Sequence, residues 1–144
     1  MQLLTKLWCT KILKLFIRYM AVPLCWAAII FIAYCIPGQD LNQFDSWDIL
    51  KLDKLIHFTL FAGFSFLLVN AFIKQRGYRY FHKNARVIAV ILSIVYGGVL
   101  EFVQGRLFEG RSSDIVDFVA NCTGAFGGLF IYKIICNRRF NHWQ

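Results

Sequence analysis

Acid is scarce in this chain of 144 residues: eight Asp and Glu stand against sixteen Lys and Arg. Proline is scarcer, at positions 23 and 37 alone, and the five cysteines at 9, 25, 35, 122 and 136 show no C-x-x-C spacing. That pattern argues against a disulfide framework and against a thiolate zinc site. No small residue stands just ahead of Cys35, as a lipid-attachment cysteine would need, and no A-x-A-like cleavage site follows the first apolar run, so that run is expected to be retained. Long polar stretches are also missing. The longest, from Pro37 to about Lys54, leaves no room for a separate soluble domain.

What is abundant is apolar surface. Hydrophobic residues make up 58% of the chain, and a mean hydropathy of +0.55 exceeds what an ordinary soluble domain of this size carries. The net charge of +8 does not point to nucleic acid, because the basic residues form short clusters between apolar runs. The expected fold is all-α: a polytopic membrane protein, one domain over 1–144, with transmembrane helices at about 19–36, 55–73, 87–104 and 115–135. Residues 1–18 place Lys11, Lys14 and Arg18 on one helical face, with Leu4, Leu7, Trp8, Ile12, Leu15 and Phe16 over much of the rest. That spacing predicts a basic, amphipathic interfacial helix ahead of the first span. Pro37-Gly38 ends that span.

Orientation follows from the basic residues. The N-terminal segment holds four, the connection between spans two and three holds five, and the C-terminal end holds three; only Lys51, Lys54, Arg106 and Arg111 lie in the other two connections. Positive residues resist translocation, so both termini and the central connection are expected on the cytoplasmic side. All eight acids (Asp40, Asp45, Asp48, Asp53, Glu101, Glu109, Asp114, Asp117) then fall in or beside the outward connections.

Threading of this kind brings the start of span two, the end of span three and the start of span four to one membrane face. Asp53 and His57 share a face at i and i+4, with Lys54 beside them; Glu101 and Gln104 are at i and i+3; Asp114, Asp117 and Asn121 form one stripe. An acid at the bilayer centre costs roughly 2.5 to 3.5 kcal/mol, so Glu101 and Asp117 are expected to avoid lipid, with Arg111 as a bidentate counter-charge. Plainer roles compete: Asp114 as a helix N-cap, His57 as a histidine bonded to a carbonyl, and Glu101, Arg111 and Asp117 as an ion-pair lock. One imidazole and two or three carboxylates could hold a divalent ion, but no HxxxH or HExxH spacing occurs, so metal binding is a minor reading and no metal is assigned. Gly124 and Gly128 form a GxxxG pair suited to close helix packing.

These residues resemble the signature of the VanZ-like membrane proteins: Asp53-Lys54-x-x-His57-Phe58, Glu101-x-x-Gln104, and Gly110-Arg111-x-x-Asp114-x-x-Asp117-x-x-x-Asn121-x-x-Gly124 with a further Gly128. The similarity spans about 52–128 and departs at Glu109, where a small residue or proline is common in the family. The resemblance implies a small envelope protein of the bacterial inner (cytoplasmic) membrane, from a family named for teicoplanin resistance. The expected function is an outward polar site built from Asp53, Lys54, His57, Glu101, Gln104, Arg111, Asp114, Asp117 and Asn121. It would bind a lipid or lipid-linked headgroup and affect glycopeptide sensitivity. The alternative is a membrane-embedded hydrolase or transferase acting on a lipid-linked substrate, with His57 and Glu101 as acid and base and Asp117 as a further catalytic candidate. Expected partners are membrane lipids, a lipid-linked envelope precursor or a glycopeptide, and not nucleic acid. No cofactor or oligomeric state is specified by the sequence.

Overall fold

The structure, a computed structural model, describes the backbone of residues 2–35, 46–107 and 115–140, and side chains over 14–35, 52–106 and 115–136. Five helices account for all regular structure among the described residues: α1 (Gln2–Tyr34), α2 (Ser46–Lys74), the short α3 (Arg79–Lys83), α4 (Ala85–Leu107) and α5 (Ile115–Phe140). Four contain stretches long and apolar enough to cross a membrane: Lys14–Tyr34, Leu52–Lys74, Ala85–Arg106 and Ile115–Cys136. In hydrocarbon a helix satisfies its own backbone polar groups, and runs of this length and composition therefore fold as helices. The protein is an all-α, multi-pass membrane protein.

Two elements differ from the expected ones in extent. The amphipathic segment and the first span form a single helix, since nothing between residues 14 and 22 breaks it, and Pro23 is accommodated inside. The second helix begins at Ser46 rather than near Leu55. Charges at Asp48, Lys51, Asp53 and Lys54 end the apolar run without ending helical hydrogen bonding. The short α3 lies within the connection between the second and third spans. Its Phe81 stacks on Phe72 at 5.5 Å and also meets Phe16 of α1, pinning that connection to the bundle.

The central helix is α2, which packs along α5 and also meets α1, α3 and α4. Its contact with α5 is backbone to backbone. A Cβ at Gly124 would collide with the Phe58 carbonyl, and one at Gly128 with the Ala62 carbonyl, so both glycines are required for this approach. Phe61, Phe64, Leu68, Val69 and Phe72 fill the interior with Ile30, Leu100 and Tyr132. Phe61 and Phe64 are thus core, whereas Phe58 is partly exposed.

Interhelical bonds to main-chain carbonyls fix α1 to the rest: Trp26 Nε1 donates to Leu60 O at 3.0 Å, and Tyr96 Oη donates to Ala27 O at 2.8 Å. Outward positions are apolar, including Val22, Leu24, Phe31 and Ile32 on α1, Val95 and Val99 on α4, and Phe126 and Phe130 on α5. Such a coat suits lipid.

Candidate functional site

The end of α1, the start of α2, the end of α4 and the start of α5 meet at one end of the bundle. The polar residues there are buried: Tyr34, His57, Glu101 and Gln104 are each about 95% covered, and Asn121 is wholly enclosed. For a carboxylate and an imidazole in an apolar bundle, that burial requires partners.

The partners form one network. Tyr34 Oη donates to Glu101 Oε1 at 3.0 Å, and Asn121 Nδ2 donates to Tyr34 Oη at 2.8 Å and to Glu101 Oε1 at 3.3 Å. His57 Nδ1 lies 2.8 Å from Tyr34 Oη and 3.1 Å from Asn121 Oδ1. Because Asn121 Oδ1 only accepts, and the single proton of Tyr34 goes to Glu101, Nδ1 is the protonated nitrogen and shares its hydrogen between these two oxygens. Glu101 Oε1 also lies 3.8 Å from Nδ1, while Glu101 Oε2 has no hydrogen-bond partner among the described residues. Gln104 Nε2 donates to Tyr34 O at 3.3 Å, satisfying a carbonyl at the end of α1 that has no partner within the helix.

The opposite edge of the imidazole faces more exposed charge. His57 Nε2 is 3.7 Å from Asp53 Oδ1, one turn earlier on α2. Lys54 Nζ donates to Asp117 Oδ1 at 3.1 Å, bridging α2 to the first turn of α5. These groups are the accessible rim: the side chains of Lys54, Asp53 and Asp117 are 30%, 28% and 13% exposed.

Of the nine residues expected at the site, the described structure brings together Asp53, Lys54, His57, Glu101, Gln104, Asp117 and Asn121. Arg111 and Asp114 lie outside the described residues. Among the described residues, the cation on Asp117 is Lys54.

Sequence reasoning missed Tyr34, which is hydrogen-bonded to three other members of the network. Its available signal was a phenol at the end of an otherwise apolar span, three residues before Pro37, at the same end of the bundle as the acids. The first span held no charge, so it looked like wall rather than site.

The family described as VanZ/LLP1 matches residues 16–136, a stretch that includes every described member of this network. The chain belongs to the VanZ/LLP1 family. Comparison with the curated proteins and with the solved structures gave no match. The VanZ/LLP1 assignment and the apolar helices together make this a membrane protein of the cell envelope.

Proposed function

We propose that this VanZ/LLP1 protein sits in a bacterial inner membrane with its polar end outward. There it binds the headgroup of a lipid or lipid-linked envelope precursor, and so alters sensitivity to teicoplanin-type glycopeptides. The observation that carries the reading is the division of the site into a buried, hydrogen-bonded floor (Tyr34, His57, Glu101, Asn121) and a partly exposed charged rim (Asp53, Lys54, Asp117). A floor of this kind fixes the rim, and a fixed rim recognises a polar group without the entropy cost of ordering it. Lys54, and Arg111 from the connection between α4 and α5, would meet an anionic or phosphate-bearing headgroup. The family name supports a link to glycopeptide resistance, and the distribution of Lys and Arg supports the outward orientation.

The test is lipid retention. Full-length protein is reconstituted in nanodiscs of bacterial lipid extract, and the bound lipids are quantified by mass spectrometry. Lys54→Ala is expected to weaken the retained lipid roughly tenfold, the equivalent of one charge-assisted hydrogen bond of about 1.5 kcal/mol. Retention identical to wild type in both Lys54→Ala and Arg111→Ala would reject headgroup binding. A second reading is favoured by the approach of Glu101 to His57 Nδ1, a carboxylate and imidazole pairing that suits general acid–base work. A new lipid product in the same incubation, lost in Glu101→Gln, would replace binding with catalysis.

A further inference from the structure

Asp53, His57 and Asp117 each present one ligand atom, and the three atoms lie within 4.8 Å of one another. We propose that they bind a divalent first-row cation of the zinc class, independently of any headgroup. Neither the sequence spacing nor the family assignment points to a metal; the juxtaposition does, because two of the ligands come from α2 and the third from α5.

The state of His57 makes the cluster more than an acidic patch. With the Nδ1 hydrogen committed to Tyr34 Oη and Asn121 Oδ1, a neutral imidazole turns the lone pair of Nε2 toward the Asp53 carboxylate, 3.7 Å away. A lone pair facing a carboxylate is repulsive. That repulsion is relieved either by a proton on Nε2, which makes the contact an ion pair, or by a cation held between the two groups. Fixing one imidazole nitrogen by a hydrogen bond so that the other can ligate is also how a metal-bound histidine is usually held.

The donor set narrows the ion. One imidazole nitrogen with two carboxylate oxygens suits zinc and its first-row neighbours, whereas calcium and magnesium prefer oxygen alone. Bonds of about 2.0 to 2.1 Å in a tetrahedron place ligand atoms roughly 3.4 Å apart. The Nε2 to Oδ1 separation is already close to that, and small side-chain rotations would bring Asp117 in. Lys54 Nζ contacts Oδ1 of Asp117, which leaves the other carboxylate oxygen for the ion. Three protein ligands also leave a fourth position for water or an incoming oxygen.

The experiment uses full-length protein in detergent, stripped with a chelator, dialysed against Zn²⁺ alone and desalted, with bound zinc counted by elemental mass spectrometry. Wild type is expected to retain one equivalent and to gain thermal stability from Zn²⁺. Asp53→Asn and Asp117→Asn, both at the partly exposed rim, are expected to elute as wild type yet lose at least about a hundredfold in affinity. Tyr34→Phe keeps all three ligands and should keep the stoichiometry, with affinity lower by about tenfold. His82→Ala, at the other end of the bundle, should bind as wild type. Absence of saturable Zn²⁺ binding to wild type, or binding unchanged in Asp53→Asn and Asp117→Asn, would overturn the proposal and leave the headgroup reading standing.

Discussion

Gly128→Ala is expected to cost about 3 kcal/mol, the upper part of the range for overpacking a filled interior. The new methyl would strike the Ala62 carbonyl and lie 2.9 Å from the Phe66 nitrogen, both backbone atoms of α2. Backbone cannot rotate out of the way, so α2 and α5 must separate along the interface on which the bundle is built. Gly127→Ala provides the comparison. The atoms nearest its methyl belong to the Phe58 ring, at 2.9 Å, and a partly exposed side chain can move. Denaturation in mixed micelles should therefore show a loss for Gly128→Ala at least twice that for Gly127→Ala. Equal losses would mean that the interface is looser than the contact of Gly128 with Ala62 implies.

Asn121→Ala has the second large expected effect. The amide reaches His57 Nδ1, Tyr34 Oη and Glu101 Oε1, and all of these are buried. Interhelical hydrogen bonds in membranes average about 0.6 kcal/mol with a maximum near 1.7, so three lost bonds amount to roughly 2 to 4 kcal/mol once a buried cavity is added. The loss should not be additive with that of Tyr34→Phe, because the two side chains share a hydrogen bond and the same carboxylate oxygen. A double-mutant cycle showing independent effects would contradict a single connected network.

The bundle was legible in the sequence because hydropathy reports helix number directly when lipid is the solvent. Helix ends were less so. Asp48, Lys51 and Asp53 look like loop to a hydropathy argument, yet the backbone hydrogen bonds of α2 continue through them from Ser46. The short α3 was hidden for a related reason: Arg79-Tyr80-Phe81-His82-Lys83 is polar at both ends, and its helical turn owes its place to Phe81 against Phe72 and Phe16. The GxxxG pair was visible as a packing signal, but its partners on α2, the carbonyls of Phe58 and Ala62, carry no sequence mark at all.

For the site, spacing alone grouped Asp53 with His57, and Asp117 with Asn121, since positions one turn apart share a helix face. Threading then brought the helix ends together. What spacing could not supply was the pairing across helices. Lys54 lies beside Asp53 in the chain but bonds Asp117 across the interface, and Glu101 is met by the phenol and the amide rather than, among the described residues, by a basic side chain. Tyr34 was invisible because a single hydroxyl barely changes the hydropathy of its span, although it is where α1 enters the network.

The claim on which the functional account rests is that the Tyr34, His57, Glu101 and Asn121 end of the bundle faces the exterior. In a cysteine-free background, Leu52→Cys places a thiol at that end and Tyr80→Cys places one at the other, both at exposed positions. Treatment of intact cells with a membrane-impermeant maleimide is predicted to label position 52 and to label position 80 only after permeabilisation. Labelling of position 80 in intact cells, with position 52 protected, would put the polar site in the cytoplasm and contradict the account.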